Sequence, residues 1–343
     1  MVRACRTPKQ DRSVRGRLVG EDVEYRGVVD DLLDRFSRTL TVLDGGLATE
    51  LEARGHDLSG KLWSARLLAE EPEAIAGVHR AFFEAGAQVA TTASYQASFE
   101  GFADVGYDRA TALRLLRRSV TLAQNVRDEV RPQDGLVAAS IGPFGAVLAD
   151  GSEYRGDYGL TVDELRAFHQ PRLETLAMTG ADLFALETIP CLAEVEALCA
   201  ELDGNGHPAW LSLTTRGGRT AAGESLTEAF AMAAEVEEIV ALGVNCCAPA
   251  DVAVALVAAR EVTTKPLLAY PHTGQSWNAA TREWEGTSTF HLPLVGQWRR
   301  SGAKLFGGCC RVTPADIAQL AGALAEVTPR WAPRWARPSA EPG

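Results

Sequence analysis

Three cysteines at two distant points of the chain carry the clearest chemical signal in this sequence. Cys246 follows a short apolar run, and Cys309 and Cys310 follow a pair of glycines. Adjacent residues on a regular strand point to opposite faces, so Cys309 and Cys310 can share one metal ion only where the backbone leaves strand geometry. The two glycines would permit that turn. Three thiolates with one open position are typical of a catalytic zinc site, because structural sites close with four protein ligands. The sequence therefore predicts one zinc ion per chain on these three side chains.

The sequence alone leaves other interpretations of the cysteines open. The chain has seven cysteines, an odd number, and no secretory signal, which favours metal-binding or catalytic thiols over disulfides. Free cysteine also serves as a small buried hydrophobic residue, and we expect this of Cys191, Cys199 and Cys247. A redox dithiol is a further alternative, although adjacent cysteines lack the C-x-x-C spacing.

A zinc ion held by three thiolates favours one kind of reaction. The site is net negative, so it activates water poorly, but a substrate thiol that binds at the fourth position still loses its proton. That sulfur remains nucleophilic. The natural reaction is alkylation of a substrate thiolate by in-line displacement at a methyl or other alkyl carbon, helped by proximity and orientation.

Acidic and glycine residues could hold an amino acid by its charged ends. The run Asp44-Gly45-Gly46 can offer backbone N–H groups to a carboxylate, with Asp44 available for an ammonium group. Glu187 is a second candidate for the ammonium group. A turn or cap role for Asp44, and a helix-dipole role for Glu187, are the structural alternatives.

Histidines and aromatic residues give weaker signals. Among the histidines, only His272 follows a predicted strand closely enough to be a candidate. Aromatic side chains in the long loops could face a cationic methyl donor through cation–π contact. They are Phe144, Tyr154, Tyr158, Trp277 and Trp284.

These residues fall at the ends of repeated strand–helix units. Eight apolar or β-branched runs alternate with helical patterns, which predicts a single (β/α)8 TIM-type barrel with long loops at its C-terminal face. A doubly wound open sheet is the alternative. The predicted strands are Leu40–Leu43, Gln88–Thr92, Leu136–Ser140, Leu183–Leu186, Ala209–Leu213, Leu242–Asn245, Pro266–Tyr270 and Lys304–Phe306. In such a barrel the residues after the strands meet in one site.

Composition limits the remaining possibilities. We predict a polar, flexible arm over residues 1–36, with one amphipathic stretch at Val28–Phe36, the barrel over 37–330 and a loose tail over 331–343. There are 34 Lys and Arg residues against 45 Asp and Glu, a net charge of −11 that argues against a nucleic-acid partner. No run of about 18 apolar residues suggests a membrane span. We expect a cytoplasmic enzyme acting on small molecules, and its oligomeric state is left open.

Taken together, the motifs resemble the homocysteine S-methyltransferase family over Leu40 to Val327. The matching segments are Asp44–Leu51, Leu62–Ala65, Thr91–Gln96, Gly142–Gly145, Leu148–Tyr154, Glu187–Pro190, Gly243–Cys246 and Gly307–Cys310. The resemblance implies a (β/α)8 barrel, zinc on Cys246, Cys309 and Cys310, homocysteine as methyl acceptor and methionine as product.

The resemblance also implies roles for the acceptor-binding residues. Asp44 and Glu187 would hold the amino group of homocysteine, and Gly45 and Gly46 would lie near its carboxylate. The matching segments add three further substrate-binding candidates, Thr92, Tyr95 and Asn245.

The methyl donor follows from a narrower resemblance. The run Leu148–Tyr154 is similar to the branch that uses S-methylmethionine, which makes that sulfonium compound the expected donor and S-adenosylmethionine a slower one. His272 and Phe144 depart from the usual family residues. Alternatives are selenohomocysteine as acceptor, betaine as donor, or a non-catalytic zinc or redox thiol sensor. A lyase or aldolase barrel would need a lysine or an acid–base pair at a strand end.

Overall fold

The computed structural model describes residues 21–58, 60, 62, 64–278 and 283–327. A barrel of eight parallel strands forms its centre, in the order β1-β12-β9-β8-β5-β4-β3-β2. A bridge between Leu43 and Val89 joins the two ends of this order and closes the barrel. The strands are β1 (Thr41–Val42), β2 (Val89–Thr91), β3 (Leu136–Ile141), β4 (Leu183–Ile189), β5 (Ala209–Leu213), β6 (Thr215–Arg216), β7 (Arg219–Thr220), β8 (Ile239–Asn245), β9 (Leu267–Tyr270), β10 (Ser276–Asn278), β11 (Glu283–Glu285) and β12 (Ala303–Phe306).

Helices surround the barrel and connect its strands. They are α1 (Glu21–Arg38), α2 (Leu47–Ala53), α3 (Ser64–Glu70), α4 (Pro72–Glu84), α5 (Phe99–Asp104), α6 (Arg109–Val130), α7 (Phe144–Leu148), α8 (Val162–Ala177), α9 (Leu192–Leu202), α10 (Leu226–Ala234), α11 (Pro249–Arg260), α12 (Leu292–Arg300) and α13 (Pro314–Val327). A 3-10 turn at Ser152–Tyr154 lies between α7 and α8. No helix in the described ranges is long and apolar enough to cross a bilayer.

The eight predicted barrel strands are all present, and the closed order excludes the open doubly wound sheet. Every residue of β4 and of β8 is buried, as expected for parallel strands covered on both faces. Thr161 and Glu164 form a capping box at the start of α8, where each side chain bonds the other residue's backbone N–H. Pro249 and Pro314 occupy first turns, where the missing N–H costs no helical hydrogen bond.

Helix α1 corrects the predicted arm. Residues 21–36, which the sequence assigns to the flexible segment, form most of this helix. Val29, Leu32 and Phe36 are buried against the first residues of several barrel strands, including Leu136 and Leu183. The amphipathic stretch explains the difference, because its apolar side covers the N-terminal opening of the barrel. The predictions for residues 1–20 and for the tail after residue 327 lie outside the described residues.

Candidate active site

A cavity at the C-terminal end of the barrel collects the chemically distinctive residues. The cavity and its mouth, which is open to solvent, together contain about 760 Å³ of space that protein atoms do not fill. Nine of the ten predicted site residues line it: Asp44, Gly45, Gly46, Thr92, Tyr95, Glu187, Cys246, Cys309 and Cys310. No lysine lines this cavity within the described part of the chain.

The three predicted cysteines form one cluster on the cavity wall. Cys246 Sγ lies 2.8 Å from Cys309 Sγ and 3.7 Å from Cys310 Sγ. Their sulfur atoms all lie within 4.8 Å of one another, a spacing that could hold a metal ion. Hydrogen bonds from the two neighbouring thiols hold the pKa of Cys310 well below its usual range. Cys247 is buried in the hydrophobic core outside this cluster, as expected.

Local backbone geometry brings the sulfurs together. Cys246 directly follows β8 with φ of 45°, so the chain leaves strand geometry there and the thiol enters the cavity. The two glycines before Cys309 act differently from the prediction. A Cβ at Gly307 would lie 2.6 Å from the Leu43 side chain, and one at Gly308 would lie 2.2 Å from Val312. They are needed for close approach rather than for a left-handed turn.

Asp44 is buried and already well supplied with hydrogen bonds. Its two carboxylate oxygens accept bonds from the backbone N–H and the hydroxyl of Thr91, at 2.7 and 2.9 Å. Burial raises the pKa of Asp44 to about 8, and the Thr91 bonds oppose this rise. A cation beside this carboxylate would favour its ionised form.

Gly45 and Gly46 precede α2 and lie in close contact with the loop that carries Cys309. A Cβ at Gly46 would lie 2.7 Å from the Cys309 carbonyl oxygen. The N–H group of Gly46 donates to the Val312 carbonyl at 3.0 Å, so it is not free for a ligand carboxylate. The expectation that both glycine N–H groups face a carboxylate therefore fails for Gly46.

Glu187 lies near the end of β4, and its charge adds to the rise in the pKa of Asp44. Its carboxylate accepts a hydrogen bond from the Ser140 hydroxyl and contacts Tyr270. Burial raises the pKa of Glu187 to about 7, the Ser140 bond opposes this rise, and the Cys246 thiol adds to it. Thr188 follows with φ of 63°, an uncommon value for a β-branched residue.

Asn245 is the predicted site residue that does not line the cavity. Its side chain is fully buried and accepts from the Thr188 N–H at 2.7 Å while donating to the Thr188 hydroxyl at 2.8 Å. It also accepts from the Ser212 hydroxyl at 2.9 Å. Asn245 therefore holds the strained backbone after Glu187 in place, instead of meeting a ligand.

The loop after β3 adds residues that the sequence singled out less clearly. Glu153 and Tyr154 line the cavity, and the Tyr154 hydroxyl lies 3.3 Å from Cys246 Sγ. Burial raises the pKa of Glu153 to about 7. The sequence indicates Tyr154 as one of five aromatic candidates, whereas Glu153 is only a member of the matching segment Leu148–Tyr154. Its burial could not be read from a loop sequence.

Several other candidates have packing roles. Phe144 packs edge-on against Tyr158 and Phe168, with ring centroids 5.4 and 5.1 Å apart. His272 accepts a hydrogen bond from the Gly274 N–H at Nδ1, 2.8 Å away. Neither lines the cavity. Trp63, from one matching segment, lies outside the described residues.

Known proteins resemble this chain over nearly the whole barrel. Residues 41–324 match the family model described as homocysteine S-methyltransferase. The homocysteine S-methyltransferase of Escherichia coli is 46% identical over 299 residues, covering 84% of this chain and 96% of that protein. A selenocysteine Se-methyltransferase of Brassica oleracea is 40% identical over 298 residues, covering 80% and 86%.

A solved structure agrees with these sequence relatives. The metallated form of the homocysteine methyltransferase MmuM from Escherichia coli superposes with a TM-score of 0.76 at 44% identity, covering 86% of this chain and 99% of that one. The family model spans most of the chain, and the same eight-stranded barrel carries the motifs. The chain therefore belongs to the homocysteine S-methyltransferase family.

Proposed function

We propose that this protein transfers a methyl group from S-methylmethionine to the thiol of L-homocysteine and releases methionine, with one zinc ion on Cys246, Cys309 and Cys310. S-adenosylmethionine would be a slower donor. The observation that carries the proposal is the shared cavity: three clustered thiols and the two carboxylates of Asp44 and Glu187 line the same space. That combination suits a small molecule with both a thiol and an ammonium group.

The cysteine cluster fits a zinc ion. Zinc–sulfur bonds of about 2.3 Å in tetrahedral geometry place sulfurs roughly 3.8 Å apart. The 3.7 Å between Cys246 and Cys310 already matches this spacing, and the 2.8 Å to Cys309 would lengthen as the thiols lose their protons. When bound, zinc would supply the positive charge that keeps the acceptor sulfur deprotonated and nucleophilic.

The acceptor would be oriented by the acidic residues. Asp44, two residues after β1, and Glu187, in β4, would accept hydrogen bonds from the ammonium group of homocysteine. Tyr95 and Thr92 line the same wall, although the Thr92 hydroxyl already bonds Ser94 at 2.7 Å. These contacts would leave the thiol directed toward the cysteine cluster.

The transfer itself needs no general base from the protein. The acceptor sulfur attacks the donor's methyl carbon, the carbon–sulfur bond to the sulfonium breaks, and its electron pair stays on the donor sulfur. The sulfonium becomes a neutral thioether as the thiolate becomes one. Because opposite charges cancel in this step, a cavity with little water favours it.

A selenium acceptor is the second candidate. One relative of comparable identity is named for methyl transfer to selenocysteine. Selenols lose their proton more readily than thiols, so the same cavity could take selenohomocysteine without a change of residues.

Absence of nucleic-acid binding and a cytoplasmic location stay predictions.

Zinc content and donor preference test the proposal together. Purified, reduced protein is analysed for metal, then incubated with homocysteine and either S-methylmethionine, S-adenosylmethionine or betaine while methionine is quantified. About one zinc per chain and methionine from the sulfonium donors alone are expected. Turnover with betaine but not with sulfonium compounds would overturn the donor assignment. Zinc-free protein with full activity would overturn the role of the cysteines.

A further inference from the structure

One carboxylate in the cavity has an oxygen without a protein partner. Both oxygens of Asp44 accept a hydrogen bond from Thr91, and Glu187 accepts one from Ser140. Glu153 is only 6% exposed, and its Oε2 has no hydrogen-bond partner among the described residues. A buried carboxylate in this condition costs free energy unless a positive charge arrives to pair with it. The structure thus leaves Glu153 available to a ligand.

The turn that carries Glu153 is held in place independently of any ligand. Asp150 accepts from the Ser152 N–H at 2.9 Å, and Arg155 donates to the Ser152 hydroxyl at 2.7 Å. A Cβ at Gly145 would lie 2.5 Å from the Glu153 backbone nitrogen, so only glycine lets α7 approach this closely. The carboxylate is therefore positioned in advance, as a recognition group must be.

The surroundings of Glu153 point to a positively charged ligand next to the sulfur cluster. Its neighbour Tyr154 places a hydroxyl 3.3 Å from Cys246 Sγ. Within the described ranges, the residues lining the cavity include three acids and no lysine, arginine or histidine. Arg155 lowers the pKa of Glu153 from outside this lining, so a counter-charge inside the cavity would have to come with the ligand.

We propose that Glu153 is the counter-ion of the methyl donor, and that it selects donors carrying an onium charge over uncharged analogues of the same shape. This inference rests on the proposed function, because it assigns the donor side of the same cavity. Since the donor's charge disappears during transfer, the carboxylate stabilises the bound donor at least as strongly as the transition state. Its loss should raise the donor KM and leave kcat little changed.

The test compares Glu153→Gln with the wild type under saturating homocysteine and varied S-methylmethionine. We expect the donor KM to rise by about tenfold or more, with kcat and the homocysteine KM within about twofold and zinc content unchanged. Asp157→Asn is the matched control, because it removes a carboxylate that is 71% exposed from the same loop. It should leave both KM values unchanged.

A ligand pair provides a second readout, and its comparison in the wild type does not depend on the folding of the variant. Dimethylsulfoniopropionate and 4-methylpentanoate differ in replacing the sulfonium centre by carbon. In the wild type the sulfonium compound should compete with the donor about tenfold more strongly than its carbon analogue, and Glu153→Gln should abolish this difference.

Other outcomes would overturn the inference. A rise in the homocysteine KM instead of the donor KM would assign Glu153 to the acceptor, and equal competition by the two ligands in the wild type would remove the charge preference. Failure of the proposed function would look different, because the wild type would then form no methionine from any sulfonium donor.

Discussion

At the scale of single residues, the cavity is unusual because the ionisable groups that line it in the described part of the chain are all acidic. Burial raises the pKa of Asp44 to about 8, and the pKa values of Glu187 and Glu153 to about 7. Clustered thiols lie beside them. Several negative charges close together in such a site are unfavourable, so the site favours the binding of cations. A metal ion, an ammonium group or a sulfonium group would each reduce the repulsion between these charges.

Replacing Cys246 should have a different effect from replacing Cys247, its neighbour in sequence, because only Cys246 belongs to the thiol cluster. Cys246→Ala removes the sulfur that contacts both others, so we expect zinc content to fall far below one per chain and methionine formation to be lost. Cys247→Ala is the control, since that thiol is equally buried but packs in the core. Metal analysis and a methionine assay on both variants check this. Full activity in a zinc-free Cys246→Ala protein would contradict the mechanism.

A buried histidine should make the fold sensitive to acid. His79 is fully buried, neither ring nitrogen has a partner in the described part of the chain, and burial lowers its pKa from 6.5 to about 4. The unfolded chain therefore binds this proton first, and stability falls as pH drops from about 6.5 towards 4. The full loss corresponds to about 3 kcal/mol.

The measurement is urea unfolding near neutral pH and again at about pH 5, where about 2 kcal/mol of the effect should be present. His79→Leu should show a smaller loss between the two conditions than the wild type. His291→Gln, at an exposed position, should behave like the wild type. Equal pH sensitivity in all three proteins would show that His79 does not contribute.

At the scale of elements, the strands and their ends could be predicted, whereas contacts between loops could not. Eight apolar runs and the residues after them sufficed to predict the barrel and nine of the cavity residues. Asn245 was misassigned because a polar residue at a strand end can face the interior or the cavity. Glu153 was missed because its burial depends on how one loop folds back over α7. Helix α1 was missed because its apolar stretch is short.

Glu194 on α9 forms hydrogen bonds with the loop that carries Glu153. Replacing Glu194 therefore tests the role of this loop. The Glu194 carboxylate accepts from the Phe144 N–H at 2.6 Å and the Tyr158 hydroxyl at 3.1 Å, and it contacts His169 Nε2 at 2.8 Å. Glu194→Gln weakens these bonds at a fully buried position, which should cost about 1–3 kcal/mol. We expect faster hydrogen exchange over residues 142–158 and a higher donor KM.

The exposed Glu196→Gln on the same helix is the control for this variant and should leave both quantities unchanged. Unaltered exchange in Glu194→Gln would mean that the aromatic packing of Phe144 alone holds the loop. A rise in the homocysteine KM alone would place the loop on the acceptor side of the cavity.

At the scale of the whole molecule, the two ends of the barrel have different tasks. Chemistry-bearing side chains gather at the C-terminal end, and the N-terminal end is covered by α1. This division is general in barrels of this type, where strand C-termini carry function and the opposite face carries stability. Arg35 of α1 reinforces the cover by donating to the Asp134 carbonyl, which precedes β3.

This difference between the two ends of the barrel predicts that a substitution in α1 can lower stability without changing the active site. Phe36 is fully buried beneath the barrel, so Phe36→Ala should cost about 3–5 kcal/mol in urea unfolding. Val28→Ala, at a position 44% exposed on the same helix, should cost little. Because α1 contacts the strands at the end remote from the cysteines, zinc content and kcat per folded molecule should stay at wild-type values. A fall in either quantity for folded Phe36→Ala would mean that the cover also shapes the cavity through the barrel interior.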